Sequence, residues 1–486
     1  MIFFILFFLC GVLVSLLYPP FFLTPIGFFI FPFLFYLLNH KNFIVLSYKK
    51  HFFSGFSFGL GFFIIYLGWI KEPFLIEDIT KKYFIFSYLL IIYCALYYGI
   101  IFFVISFFKT KIVKLFALPI LIVLVEFFSN NFIYGFPWLS FSLVHSNNIF
   151  GSSLIYFSGT YFTSYITVLF FLLFSIFFIE NLKLRKVLQF LYLLIFLLII
   201  ILSLTRYYDA KFTESDSINI SIVQSNFHIN QYLDKNTKIK KQKFILDLIK
   251  KNKSEIILFG ENDYPFLMNI NNINLIQSHI QNNQSVIIGS TRKEDNNYFN
   301  SIFLITKNEY SFFDKQILVP FGEFVPFRNL FSFMEYISGS IDFTKGTIER
   351  NLQLNNIKIL PAICYEILFF WKLLHQSNIN SDIIVNITND SWFGDFSGPY
   401  QHFYFAKLRA AEFNKTLIRA SVNGISAGID NYGRVIKFSK LNQQQNKIIS
   451  IPVNSNNNQY IRFHKIIFFL IFFPLLVILF INKKNA

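Results

Sequence analysis

Charge and sulfur are both scarce in this 486-residue chain: 14% of its residues are charged, and it has three cysteines and three methionines. Soluble globular chains carry about 25% charged residues, so the deficit excludes a wholly water-exposed protein. Cys10 and Cys94 fall inside long apolar runs, which leaves no pair for a disulfide scaffold. No Cys/His spacing of the zinc type, no glycine-rich phosphate loop and no internal repeat occurs, so no metal and no cofactor is expected. Acids are few, 27 against 43 Lys and Arg, giving a formal net charge of +16. Much of that charge sits in short loops between apolar runs. Another part lies in a lysine-rich stretch, 235–253, whose apolar residues Ile239, Phe244, Ile245, Leu248 and Ile249 fit an amphipathic helix. Its basic face reads as solvated, with contact to anionic headgroups left open; nucleic acid is not an expected partner. Phe, Ile, Asn and Lys are heavily used together, as in A/T-rich genomes, so the 70 phenylalanines carry little functional weight.

What is present is membrane. Seven apolar runs fill the first 205 residues, at roughly 2–18, 20–38, 53–70, 84–108, 112–128, 153–179 and 187–204, and an eighth covers roughly 465–481. A span needs about 20 mainly apolar residues. The fifth run is the weakest, interrupted by Lys114 and Pro119. The first lacks the basic flank of a cleaved signal peptide. Alternating loops give one side Lys41, Lys49, Lys50, Lys109, Lys111, Lys114, Lys183, Arg185, Lys186, Lys483 and Lys484. The other side has Lys71, Lys81 and Lys82, beside Glu72, Glu77 and Asp78. The positive-inside rule puts the first set, and both termini, in the cytoplasm. The block between the seventh and eighth spans is then extracytoplasmic. Expected domains are 1–205, seven spans; 206–463, a water-exposed domain; and 464–486, the eighth span and tail.

Within that block, after a polar exit at 206–216, short β-rich runs alternate with helical and Asn-rich segments. Strands are expected at 218–224, 255–260, 285–290, 300–306, 357–364, 382–388, 417–422 and 447–453, and helices at about 235–252, 270–282 and 399–414. The nearly continuous apolar character of the strands suggests burial on both faces, hence a layered α/β domain, α-β-β-α. Polar residues recur at strand ends: Glu261 after EIILFG, Asn300 opening a strand after YF, Lys315 and Glu323 flanking QILVPFG, Cys364 ending IKILPAIC, and Asn389 and Asp390 after DIIVNIT. Strand ends of a layered sheet converge on one rim. Cys364, the one thiol outside the apolar runs, is followed directly by Tyr365 and Glu366. It is either an inert core residue or a nucleophile presented where a strand ends.

The segments ENDYP, DKQILVPFGEFVP and ICYE resemble the carbon–nitrogen hydrolase (nitrilase) superfamily and its Glu–Lys–Cys triad. LVPFGEFVPF, ICYE and NITNDSWFG with GPYQHF and RAAE are more specifically similar to the apolipoprotein N-acyltransferase family. In the apolar half YPPF, GFSFGLGFF and GFPW are also similar to family segments. The resemblance implies eight spans with one nitrilase-like periplasmic domain before the last, in a bacterial inner membrane. It implies Cys364 as nucleophile, Glu261 as general base and Lys315 as the cation that stabilises the oxyanion, with Asn300, Glu323, Tyr365 and Glu366 supporting the site. It further implies transfer of an acyl chain from a phospholipid, through a Cys364 thioester, to the α-amine of a diacylated apolipoprotein. The chain departs from the family pattern in the residues between Glu261 and Pro265, in Ser129 and Asn130 where an arginine is usual, and in Tyr232 or Leu233 where a tryptophan is typical.

Other readings compete at each residue. Glu261 and Lys315 can form a structural ion pair, Glu366 can serve the backbone as readily as the site, and His402 is a structural histidine or half of a Cys–His dyad. A membrane-anchored amidase using water as acceptor and a non-enzymatic membrane protein remain the functional alternatives. Intramembrane charge is sparse, with Glu126 the main instance, which gives a transport path little support.

Overall fold

The computed structural model describes residues 1–212, 217–376, 381–453 and 458–484. Residues 213–216 of the expected polar exit lie outside the described residues, as do the side chains of Lys483 and Lys484. The chain forms two compact units. One holds Met1–Lys71, Tyr83–Phe212 and the residues from Gln459 on; the other holds Glu72–Lys82 and Thr213–Asn458.

The first unit is helical. Among the described residues five helices are long and apolar enough to cross a membrane: Phe84–Ile105, Lys111–Asn131, Ile149–Phe171, Leu182–Ala210 and Tyr460–Phe480. Tyr48–Tyr66, followed across a sharp bend by Gly68–Leu75, makes a sixth if the pair is one span. The first two apolar runs fold as the shorter helices Ile2–Ser15 and Thr24–Leu38. Fourteen residues rise only about 21 Å, against a hydrocarbon core of about 30 Å, so eight full-length spans are not what the helices display. Lys114 and Pro119 do not break the fifth run: Lys111–Asn131 is one helix, and the Lys114 ammonium donates to the Leu38 carbonyl at 3.1 Å.

Small residues set the helix packing. In Tyr48–Tyr66 a Cβ at Gly61 would sit 2.1 Å from the Phe8 carbonyl oxygen, and one at Gly55 2.2 Å from that of Tyr98. The glycine-rich run therefore lets one helix press its backbone against two others, the usual route to tight association where lipid competes with side chains. Gly68, just beyond the helix, faces open space. We expect Gly61→Ala to cost about 1–3 kcal/mol as an overpacking change and to lower the unfolding midpoint in detergent. Gly68→Ala should leave it unchanged, and equal midpoints for the two variants would contradict this packing.

The second unit is a double sheet. Its strands are β1 Ser217–Gln224, β2 Ile256–Leu258, β3 Ser285–Glu294, β4 Asn297–Ile305, β5 Tyr310–Asp314, β6 Leu352–Leu354, β7 Ile357–Ile363, β8 Ile383–Thr388, β9 Thr416–Ser421, β10 Ala427–Ile429, β11 Val435–Phe438 and β12 Gln445–Pro452. One six-stranded sheet runs β12-β1-β2-β3-β4-β5 and the other β11-β10-β9-β8-β7-β6. Each has three parallel central strands, β1-β2-β3 and β7-β8-β9, with antiparallel strands outside them. Period-two alternation divides the side chains between faces. Ile220, Ile222, Ile256 and Leu258 meet Ile359, Ile383, Val385 and Ile418 between the sheets. Val223, Ile257, Val286 and Ile288 turn outward onto helices α1 Lys235–Lys251 and α2 Ile270–His279 through Ile245, Ile249, Ile273 and Ile276. Helix α3 Gly398–Phe413 packs beside β9, on the second sheet. The unit is a nitrilase-like α-β-β-α sandwich. Because β5 is two antiparallel steps from β3, it points the same way as the parallel strands. The residues following β2, β5, β7 and β8 therefore leave the double sheet at its carboxyl rim.

Candidate active site

That rim gathers the residues singled out from the sequence. Glu261 follows β2 by a short turn whose backbone is tied on both sides: Phe259 N–H donates to Ile287 O at 2.8 Å, and Gly289 N–H to Gly260 O at 3.1 Å. Gly289 is needed there, since a Cβ on it would stand 2.6 Å from the Asn262 nitrogen and 2.7 Å from the Glu261 Cα. Lys315 follows β5 directly and donates its backbone N–H to Asn300 O at 2.8 Å. Asn300 does not open a strand, as the sequence suggested, but lies inside β4 opposite Thr291.

The side chains converge. The Lys315 ammonium donates to Glu323 Oε1 at 2.9 Å and to Glu261 Oε1 at 3.3 Å. Asn300 Nδ2 donates to the same two oxygens, at 2.7 and 2.8 Å. The other oxygen of each carboxylate takes a backbone N–H, Asn389 on Glu261 at 2.9 Å and Val319 on Glu323 at 2.8 Å. Lys315 is 1% exposed and Glu261 6%, so these charges must be paired within the protein. Burial alone would lower the lysine's pKa; Glu323 and Glu261 more than reverse this, and it stays protonated. Glu323 is pushed above the usual carboxylate range by burial, opposed by Lys315 and reinforced by Glu261.

Cys364 follows β7 directly and starts the 3-10 turn Cys364–Leu368 with φ of +50°, a left-handed conformation that a cysteine rarely adopts. The thiol is buried and belongs to the apolar core between the sheets. Burial raises its pKa and Glu261 adds to this, while Lys315 and a hydrogen bond with the Thr388 hydroxyl act the other way. The thiol is thus neutral at rest, in electrostatic reach of both Glu261 and Lys315.

Glu366 serves the backbone. It accepts the N–H groups of Ile363 and Gln316 at 2.8 Å and of Ile317 at 3.1 Å, and a two-pronged pair from Arg350 at 2.6 and 2.8 Å. This ties the residue before Cys364 to the two residues after Lys315. Tyr365 is buried against Phe369, ring centroids 4.9 Å apart. His402 bonds to the carbonyl oxygen of Cys364 at 3.2 Å, not to its sulfur, the arrangement of a structural histidine rather than of a Cys–His dyad. Asp263, in the departing ENDYP segment, forms a wholly buried pair with Lys241 at 2.9 Å and accepts from Ser225 at 2.6 Å. The Tyr232 hydroxyl lies 3.5 Å from Tyr336 O.

Sequence reasoning missed Arg350, which has no periodic or motif signal, and Thr388, which stands in the NITND segment at the end of β8. It also missed Arg419, which had a signal: an arginine inside the apolar strand LIRAS needs a buried acid, and NITND supplies Asp390 at 2.8 Å.

The double sheet is that of a nitrilase-like protein, and residues 221–462 match the carbon–nitrogen hydrolase family model. Residues 10–173 match the apolipoprotein N-acyltransferase N-terminal domain model. Carrying the two in this order, the chain belongs to the apolipoprotein N-acyltransferase family, and it is a multi-pass membrane protein. It is similar to the apolipoprotein N-acyltransferase of Wigglesworthia glossinidia brevipalpis, 34% identical over 57% of this chain and 58% of that one. A relative of the same name from Pasteurella multocida is 27% identical over 80% of this chain and 78% of its own. The chain thus spans less than two thirds of the Wigglesworthia relative. Among solved structures it is similar to XC1258 from Xanthomonas campestris, a CN-hydrolase superfamily protein, with a TM-score of 0.38 and 13% identity over 49% of this chain and 91% of that chain.

Glu366 supplies a pH test. Burial would raise its pKa, but Arg350 and the backbone donors hold it below the ordinary 4.5. A depressed carboxyl pKa contributes stability that is present above the unfolded value and lost as pH falls through the folded one. Glu366→Gln should therefore lower thermal stability near neutrality by about 3–5 kcal/mol, as breaking a buried pair does. The gap from the unsubstituted protein should close as pH drops below about 4.5; a gap independent of pH would contradict the assignment.

Proposed function

We propose that this protein is an apolipoprotein N-acyltransferase that moves an acyl chain from a phospholipid to the N-terminal amine of a diacylglyceryl-cysteine, through a thioester on Cys364. One observation carries the reading: a buried carboxylate and a buried ammonium, Glu261 and Lys315, in contact with each other and acting electrostatically on a thiol presented at a strained strand end. Such a set can remove a proton, form an acyl–sulfur bond and stabilise a tetrahedral oxyanion. Family membership supplies the substrate classes.

In the first half-reaction Glu261 takes the Cys364 proton as sulfur attacks the ester carbonyl. Charge develops on the carbonyl oxygen, where Lys315 offsets it. The tetrahedral intermediate collapses, the C–O bond breaks, and Glu261 returns the proton to the departing lysophospholipid alkoxide. In the second half the acceptor amine attacks the thioester, Glu261 takes an amine proton, the C–S bond breaks and the thiolate is reprotonated. A neutral resting thiol needs this base, because the thiolate is the nucleophile. Glu323 and Asn300 hold Glu261 and Lys315 in register, and Glu366 fixes the Cys364 turn to the Lys315 loop.

We also read the membrane portion as eight crossings, the two short helices and the bent pair included, with both termini cytoplasmic and the catalytic domain periplasmic. The loop lysines support this orientation. The domains are then 1–205, 206–463 and 464–486.

Purified protein given phospholipid should accumulate an acyl-thioester on Cys364 and pass it to a diacylated lipopeptide. Lys315→Met should slow acylation by ~10²–10³-fold, the cost of losing an oxyanion partner. Release of free fatty acid alone would favour a hydrolase using water, and full activity in Cys364→Ser would sink the reading.

A further inference from the structure

Beside the Cys364 turn lies a second buried polar cluster that the mechanism above does not use. Asp390, His402, Arg419, Asn386 and Thr388 are each 0% exposed. Arg419 spans it: Nε donates to Ile425 O at 3.1 Å, one terminal nitrogen donates to Asn386, and the other to Asp390 at 2.8 and 3.0 Å. Asn386 in turn donates to Ala362 O at 2.9 Å, two residues before the nucleophile. His402 Nδ1 lies 2.9 Å from Asp390 Oδ1 and 3.2 Å from Arg419 Nη2, and its Nε2 is 3.2 Å from the Cys364 carbonyl oxygen. A carbonyl can only accept, so Nε2 carries the hydrogen. The Thr388 hydroxyl donates to Asp390 Oδ1 at 3.1 Å. The same strand end reaches the base: Asn389 N–H donates to Glu261 Oε2 at 2.9 Å and Glu261 N–H to Thr388 O at 3.4 Å.

So the Cys364 turn is held at two places, its own carbonyl by His402 and the Ala362 carbonyl by Asn386, and both holds end on Arg419, which Asp390 pairs. Such a cluster is costly to bury. Each charge loses hydration worth several kcal/mol, which only close pairing returns, and an apolar filling would stabilise the sheet as well. What it supplies that an apolar filling cannot is a pair of fixed carbonyls, at and just before a left-handed cysteine.

We propose that His402, Asp390 and Arg419 are positioning residues that hold the Cys364 turn in its reactive geometry and keep it in register with Glu261. The proposal rests on the reading of Cys364 as the acyl carrier. It adds that the carrier's reactivity depends on groups that touch neither substrate. A misplacement of about 1 Å at a reacting atom can cost ~10²-fold in rate, a scale at which a lost hold becomes visible.

The test uses full-length protein in detergent. The rate at which iodoacetamide alkylates Cys364 is followed across pH by mass spectrometry, with Cys364→Ser as the blank for Cys10 and Cys94. His402→Leu should slow alkylation by ~10²-fold, and His402→Gln, which restores a donor toward the Cys364 carbonyl, should recover most of the rate. Acyl-thioester formation should fall in parallel in kcat, with KM for phospholipid unchanged. If His402→Leu does not fold, Arg419→Lys carries the test: it keeps the charge but cannot reach Ile425 O, Asn386 and Asp390 together, and the same slowing is expected. Alkylation profiles that coincide with the unsubstituted protein's, in whichever variant folds, would overturn the proposal. So would equal rates for His402→Leu and His402→Gln. Absence of any acyl-thioester in the unsubstituted protein would instead overturn the N-acyltransferase reading, while the alkylation comparison still decides the positioning role.

Discussion

One buried ammonium between two buried carboxylates sets the terms for the rest of the second unit. Lys315 faces Glu323 and Glu261 where water is almost absent. Three charges there are tolerable only if each finds partners in the protein. The partners found are a side-chain amide, Asn300, and two backbone N–H groups, Val319 and Asn389. Those donors come from different elements: β4, the loop after β5, and the end of β8. The charge cluster therefore requires both sheets to meet at the rim in one register. The double sheet and the site are a single constraint seen from two ends.

The thiol is placed by the opposite logic. Cys364 belongs to the apolar core between the sheets, and it turns toward the charges only through a left-handed residue at the end of β7. Burial disfavours its thiolate, and the ammonium and the Thr388 hydroxyl only partly offset this. A resting thiol protected in this way suits a group that must wait for a lipid ester and then react with the base beside it. Glu366 and Arg350 stabilise the turn from the side of Lys315, and Asp390, His402 and Arg419 through the carbonyl of Cys364.

The strand-end rule made Glu261, Cys364 and Asn389 legible in the sequence, because each followed an apolar run short enough to be a strand. Lys315 was marked only as a flank of QILVPFG, since the short, half-polar strand before it, Tyr310–Asp314, does not read as an apolar run. The two-layer architecture was legible for the same reason: runs apolar on both faces need cover on both faces. Asn300 was assigned to a strand start because its run looked apolar only from there, whereas pairing with β3 extends β4 back to Asn297. Arg350 sits in a loop with no pattern, and its role depends on a carboxylate 16 residues away. In the apolar half, composition alone cannot separate a short helix from a full span. The runs at 2–18 and 20–38 read as spans yet end early as helices. Glu72–Lys82, a loop by sequence, groups with the second unit through contacts that no local signal encodes.

The central claim is that a buried, neutral Cys364 becomes nucleophilic because Glu261 takes its proton. The most direct measurement is the pH dependence of Cys364 alkylation in Glu261→Gln, beside that of the unsubstituted protein, in otherwise identical detergent solution. The account predicts ready alkylation near neutrality in the unsubstituted protein and much slower alkylation there in Glu261→Gln, which lacks the base. Superimposable profiles would contradict it.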